Sequence, residues 1–456
     1  MQRELKEIIS KVNADYCDIR YEKMNTTKIT YNGQELTEIG ANQTDGYVLR
    51  VLKNGGFASI SITNREDIDR AIKIVSESAT LLGRELKEKV KLELPTAAVD
   101  DVPLTLEGDP RKIPIDEKLS LLQHYNLIVL KSPNIQTTTL TYNEVYRDKY
   151  FATSHGSFIH QPLITLSIGG TIVAKRERDG LIQNVRATVG GSNGFNKLLN
   201  RDNVFLDKAK IASDLLDANP VKGGTYNLVL DPNMTGVFTH EAFGHFSEAD
   251  IVENMPSLRE KMKIGDKLGS DILNIIDDAT AMGQVGYYKY DDEGVALRPV
   301  TLMEKGVLTG RLHSMKTSTV FNEPISGHTV AEDNRYSPIV RMGCIYIKPG
   351  NMTFDELLKA AGNGIYVIGA KGGQTNGENF SFAAQYAYEI KDGKLGAMVR
   401  DINIMGNLFT TLKNVNGIAN DFKLSEAGGC GKGQLNIKSC HGGPHILIKD
   451  ALIGGV

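Results

Sequence analysis

The sequence predicts an α+β fold in three parts: two N-terminal α+β units, then a glycine-rich, mainly antiparallel β domain with a histidine-bearing helix near its start. Three observations predict it. Up to residue 221, long strand-like runs alternate with short stretches of helical periodicity. At Gly223 the texture changes to short strands punctuated by glycine. Much of the chain's complement of 46 glycines lies in that C-terminal half, which points to tight turns and close backbone approaches.

Taken in order, residues 1–12 read as a short amphipathic helix. Cys17 to Glu22 reads as a strand, and Lys28–Tyr31 and Glu35–Ile39 flank Asn32-Gly33, a type I′ hairpin signal. Tyr47–Val51 and Gly56–Ile62 continue the sheet around Asn54-Gly55, and Asp67–Leu82 has helical periodicity. The first unit therefore spans residues 1–84. Residues 85–110, polar and carrying Pro95, Pro103 and Pro110, read as an extended linker. A second unit covers 111–221: a helix at Asp116–Leu130, strands at Ile135–Val145, Lys149–Ser154, Ser157–Val173 and Leu181–Val189, and a helix at Asn203–Leu216. The C-terminal domain, 222–456, opens with a strand at Tyr226–Leu230, a turn at Asp231-Pro232-Asn233, and a helix from Met234 to about Asn254. Its further strands lie near 300–302, 343–347, 365–369, 381–390, 396–399 and 445–448.

Composition bounds the function. Apolar residues at 41% and charged residues at 23% are ordinary globular usage. A formal net charge of -3 supplies no basic field for nucleic acid, and no aromatic clusters for single strands accompany it. No apolar run reaches the roughly 20 residues needed to span a bilayer, and the charged N-terminus lacks a secretory h-region. Four irregularly spaced cysteines (Cys17, Cys344, Cys430 and Cys440) do not form a disulfide framework, so a reducing, cytoplasmic compartment is expected.

The chemistry concentrates in Thr239-His240-Glu241-Ala242-Phe243-Gly244-His245, inside the predicted helix. In the zincin pattern H-E-x-x-H, histidines four residues apart share one helical face and reach one zinc ion. Here the spacing is five. A straight helix would set the two side chains roughly 140° apart. If both hold one cation, the helix must be distorted at Phe243-Gly244-His245, and Gly244 permits a kink or a π-bulge. Glu241 then suits a general base that takes a proton from water, rather than a further ligand. The competing reading is a solvated polar stripe.

A catalytic zinc usually has three protein ligands and an open position. Gly428-Gly429-Cys430-Gly431-Lys432-Gly433-Gln434 offers a thiolate among glycines; the alternative for Cys430 is a small buried hydrophobe. The same stretch fails as a phosphate-binding P-loop, because Glu426 and Gly433 stand where Gly and Ser/Thr are required. Cys440-His441-Gly442-Gly443-Pro444-His445 with Cys430 gives a rival C-x9-C-H-x3-H set, whose adjacent Cys440 and His441 should diverge on a strand. His124, His155, His160, His313 and His328 are isolated, which suits surface or hydrogen-bonded histidines. Glu248 and Asp250 are candidates to orient a ligand histidine, with a helix-surface acid or a cap as the alternative for each. Asp291-Asp292-Glu293-Gly294 reads most simply as a turn with solvated acids. Gly369 to Gly377 reads as a loop without bulk between two strands, a place where a peptide could be received.

These residues together resemble the TldD/PmbA family, specifically its TldD-type subunit. The resemblance is carried by Ala14–Glu22, Arg178-Asp179-Gly180, His240–His245 with Glu248 and Asp250, Asp291–Gly294, Lys371-Gly372-Gly373-Gln374 and Cys430-Gly431-Lys432, and it spans nearly the whole chain. It implies a metallopeptidase with zinc on His240, His245 and Cys430 and Glu241 as catalytic base. It further implies cleavage of unfolded polypeptide or small precursor peptides within a dimer, commonly with a related subunit lacking the metal motif. Cys440 departs from the family, which often has glycine there. The alternative reading is a non-enzymatic subunit that regulates a topoisomerase or another partner by contact, with at most a structural metal. Such a role does not need Glu241.

Overall fold

The computed structural model describes residues 1–455. The chain opens with helix α1 (Gln2–Ser10), strands β1 (Tyr16–Asn32), β2 (Glu35–Lys53) and β3 (Gly56–Ile62), and helix α2 (Ile68–Glu85). There follow β4 (Val99–Asp101), α3 (Ile115–Leu130), β5 (Ile135–Thr153), β6 (Phe158–Lys175), β7 (Ile182–Gly191) and α4 (Asp202–Asp214). All seven strands join one sheet, with β1 paired antiparallel to β2 on one side and to β5 on the other. The strands of the two expected units thus merge, while their helices bury separate cores. One core sets Leu5 and Ile8 of α1 and Ala71, Val75 and Ala79 of α2 against Ile19, Leu49 and Val51. The other sets Leu122 and Val129 of α3 and Phe205 and Ala209 of α4 against Leu140, Ile168 and Val185.

Two local expectations change. The fragments read at Cys17–Glu22 and Lys28–Tyr31 form one continuous strand, because the polar stretch between them is hydrogen-bonded along both edges. The hairpin turn sits one residue later than Asn32-Gly33. Asn32 pairs with Glu35, and Gly33 alone has a positive φ (59°), which fits a II′ turn with glycine at the first central position. At the next hairpin both Asn54 (φ 54°) and Gly55 (φ 77°) are left-handed, the I′ signature. The segment 85–110 is tied to the sheet, where Val99–Asp101 runs parallel to β6.

After a short β8 (Asn219–Pro220), β9 (Gly224–Leu230) starts the C-terminal part. Five strands close on themselves there: 364–376, β9, 446–454, 403–407, 379–391 and back to 364–376. This barrel-like sheet makes the fold α+β with a mainly antiparallel C-terminal domain. Residues 369–376, expected as a loop, are part of a strand paired with 379–391, with a register break between Ala370 and Gly372. A second, six-stranded sheet contains 275–277, 300–304, 344–347 and 440–443. Among the described residues no helix is long and apolar enough to cross a membrane.

The acids at 291–293 are not solvated. Asp291, Asp292 and Glu293 are all buried; Asp291 binds backbone amides within the C-terminal domain, while Asp292 and Glu293 lock that domain onto the N-terminal sheet. Arg50 of β2 grips Asp18 through two hydrogen bonds (2.9 and 2.7 Å) and reaches Glu293 at 2.7 Å. Asp292 contacts Lys149 and lies 3.3 Å from Arg20. Arg147 binds Glu22 and the carbonyl of Ala331 (3.0 Å). A paired, hydrogen-bonded charge cluster is the form in which buried ions are tolerated.

Candidate metal centre

The strand β9 delivers the chain directly into the site. Asp231 caps the next helix, α5 (Pro232–Phe238), by accepting a hydrogen bond from Met234 N (2.8 Å), and Pro232 occupies the first turn, where no amide donor is needed. Thr239–Phe243 then widens into a π turn and Gly244–Ser247 tightens, before Glu248 turns extended (φ -78°, ψ 112°). The distortion falls where the five-residue histidine spacing requires it. The uninterrupted helix expected to Asn254 does not form; a separate helix covers Ala249–Asn254.

Gly244 acts differently from the expected flexible kink. Its φ of -58° and ψ of -45° suit any residue, whereas Phe243 carries the unusual geometry (φ -123°, ψ -41°). Glycine is needed for space: a Cβ there would stand 2.1 Å from Met342 Sδ and 3.0 Å from Ile345 Cδ1.

His240, Glu241, His245 and Cys430 come together, with one donor atom from each lying within 4.8 Å of all the others. The two imidazoles sit 5.2 Å apart and nearly perpendicular (88°). Cys430 Sγ lies 3.4 Å from His245 Nε2, and Glu241 Oε2 lies 3.6 Å from the same nitrogen. Cys430 arrives on a glycine-rich loop pinned by paired backbone bonds to Ile437. It is half-buried, not the small core residue that was its alternative.

Both ring nitrogens of His240 are buried and, among the described residues, make no hydrogen bond. Burial, then the charges of His245 and His441, holds its pKa well below the usual value, so the ring is neutral. A neutral imidazole with both nitrogens free is costly to bury but ready to coordinate. Burial opposes a charge on His245, but hydrogen bonding to Cys430, Glu241 and Glu248 prevails and pushes its pKa up to about 11 without a metal, so an ion bound there would have to displace that proton. Burial would raise Cys430, and His245 overrides it to hold the thiol below its ordinary value. Two imidazoles, a thiolate-prone cysteine and an adjacent carboxylate fit a borderline-soft divalent ion such as zinc.

Around this set stands a charged frame, only part of which sequence reasoning identified. Glu248, fully buried, accepts from His245 Nδ1 at 3.2 Å, the contact that fixes the orientation of a ligand histidine. Lys432, two residues beyond Cys430, bonds Asp250 (2.8 and 2.9 Å), Glu248 (3.1 Å) and the carbonyl of Val340 (2.6 Å). Arg341, fully buried, lies 3.6 Å from Glu248, and its guanidinium makes no hydrogen bond among the described residues. Nothing in the sequence around Arg341 marks it. His441 stacks edge-on to His240 at 5.7 Å, and burial pushes its pKa down to about 4.

The rival cysteine–histidine set does not assemble. Cys440 is buried beside Cys344 on adjacent parallel strands, and His445 is held by Asp421 (2.5 Å) and Tyr366 (2.9 Å). The isolated histidines have ordinary partners, such as Asp202 for His124, Asp148 for His160, Glu323 for His313 and Asp277 for His328.

Known proteins place this geometry in a family. Residues 17–79, 108–219 and 223–455 match the family models described as PmbA/TldA metallopeptidase domain 1, central domain and C-terminal domain. A metalloprotease of Synechocystis sp. is 36% identical over 99% of this chain and 97% of its own. A zinc metalloprotease TldD homolog of Saccharolobus solfataricus is 28% identical, covering 98% of both chains. The solved structure of TldE from Thermococcus kodakarensis shares the fold end to end, with a TM-score of 0.79 at 15% identity and 100% of each chain covered. Matched in all three domains and aligned over nearly its full length with a named metalloprotease, the chain belongs to the PmbA/TldD metallopeptidase family.

Proposed function

We propose that this chain is the metal-carrying subunit of a zinc metallopeptidase acting on unfolded polypeptides or small precursor peptides. In this reading His240, His245 and Cys430 hold the ion and Glu241 is the general base. The observation that carries it is the convergence of these four donors, from a distorted helix and a loop 185 residues away, around a histidine whose nitrogens have no other partner among the described residues. The relatives' names, metalloprotease and zinc metalloprotease, support the same reading.

Held by His240, His245 and Cys430, zinc would supply Lewis-acid chemistry, a lowered pKa for water and polarisation of a scissile carbonyl. Glu241 accepts the proton of the attacking water at its carboxylate and passes it to the leaving amine. Glu241 lines a cavity of about 860 Å³, from which a substrate can approach it. Gly372 and Gly373 line the same cavity on strand 364–376, and an extended peptide can lie there along main-chain groups with weak sequence preference. Pairing with a related subunit that lacks the metal motif, which the TldD-type resemblance implies, belongs to the same reading.

The test is proteolysis of an unfolded polypeptide by the zinc-loaded protein, before and after chelation, alongside Glu241→Gln. The variant is expected to keep its metal and lose activity by roughly 100-fold or more. Cleavage at the wild-type rate by a metal-replete Glu241→Gln protein would favour the non-enzymatic alternative.

A further inference from the structure

The cavity in front of Glu241 carries more positive charge than its own acids neutralise. Two of its acids already have partners: Glu426 takes Arg201 (2.7 Å) and Asp421 takes His445 (2.5 Å). Four further cations line it, Arg186, Lys208, Lys371 and Lys423. Among the described residues, none of these four side chains has a carboxylate within 4.0 Å. Lys208 has only the face of Tyr386, 5.4 Å from its ammonium.

Two cavity acids remain, and both are committed. Asp231 is spent on two backbone amides, Met234 N (2.8 Å) and Gly369 N (2.9 Å), as the cap of α5. Glu241 lies against His245. Burial lowers the pKa of both Lys208 and Lys371, with Asp231 and Asp401 respectively opposing it. These lysines are therefore partly removed from water with no carboxylate in contact, an arrangement that costs free energy unless a ligand supplies a close negative charge.

We propose that this cavity recognises carboxylate on the peptide substrate, with Lys208, Lys371, Lys423 and Arg186 as the receiving groups. The proposal rests on the peptidase reading above and adds a substrate class to it. Two sources share the chemistry: acidic side chains, and the free C-terminal carboxylate of a short peptide. The metal-replete Glu241→Gln protein allows binding to be read without turnover.

The experiment measures fluorescence anisotropy of four labelled dodecapeptides: acidic with an amidated C-terminus, neutral with a free C-terminus, neutral and amidated, and basic and amidated. A carboxylate-bearing peptide is expected to bind roughly ten-fold or more tighter than the neutral amidated one, with the advantage shrinking as salt rises. Lys208→Gln and Lys371→Gln, each added to this background, are expected to cut that advantage while leaving the neutral amidated peptide within about two-fold. The acidic amidated and neutral free-ended peptides tell side-chain from end-group recognition. Equal binding of all four peptides overturns the proposal, as does a single-stranded oligonucleotide that displaces the acidic peptide more effectively than unlabelled acidic peptide does. Wild-type cleavage of the same set separates the two claims. Carboxylate-dependent binding without cleavage of any peptide counts against the peptidase reading alone, and cleavage with no preference in binding counts against carboxylate recognition alone.

Discussion

Glu248 and Lys432 hold the candidate centre from behind. Glu248 takes the spare N–H of His245, and Lys432 ties the loop that carries Cys430 to Glu248 and Asp250. Neither points at the place a metal would occupy, so each acts by positioning. Glu248→Gln is expected to weaken zinc binding by about 10–100-fold, the usual effect of losing a partner behind a ligand histidine. Competition against a chromophoric chelator measures it. Lys432→Met should weaken binding in the same way by freeing Cys430, and unchanged affinity in both variants would deny the frame its role. The His240–His245 pair and Cys430 are legible in the sequence because spacing and glycine density mark them. Glu248 is visible only as a neighbour of the motif. Arg341 is invisible, because one arginine in a β-rich stretch carries no pattern and its burial is decided by tertiary packing.

The motif helix shows what periodicity can and cannot say. Five-residue spacing demands a widened turn, and the π turn at Thr239–Phe243 supplies it. At the break the backbone on either side of Glu248 pairs with Leu312, a long-range contact that no local pattern encodes. Gly244→Ala tests the element. The added methyl collides with Met342 Sδ and Ile345 Cδ1, so the helix must move or Met342 must repack. A loss of about 1–3 kcal/mol in stability is expected, typical of overpacking, read from urea midpoints. Zinc affinity should fall with it, since His245 is the next residue. A variant destabilised with full metal affinity would show that the helix geometry at 243–245 is not what aligns the imidazoles. Elsewhere, long strands were read in fragments for a related reason. The polar middle of β1 has no alternation to announce it, and only pairing along both edges makes it a strand.

At the scale of the whole molecule, buried Asp292 and Glu293 join the C-terminal domain to the N-terminal sheet, and that junction sets a pH dependence. Burial alone would raise the pKa of Asp292, but the charges of Lys149, Arg20 and Arg147 override it and hold the carboxyl well below its ordinary range. Ala331 N donates to it as well (2.8 Å), and Glu22 lies on the far side of Arg20 and Arg147. A carboxyl depressed by folding contributes stability that is full above its unfolded pKa, about 3.9, and is lost as pH falls toward the folded value. Asp292→Asn removes the charge and leaves Lys149 and Arg20 facing a neutral amide in the interior. The cost at pH 7 is expected to be about 3–5 kcal/mol, as for a broken buried pair. The same variant should cost progressively less as the pH drops from about 4 toward 2, because Asp292 in the unfolded wild-type chain then takes up a proton that the folded protein does not, which removes the stability the charge supplied. Urea unfolding of both proteins across this range reads the difference directly. A cost that stays constant with pH would assign the effect to lost packing or to the Ala331 hydrogen bond, and would remove the charge cluster as the bond between the two halves.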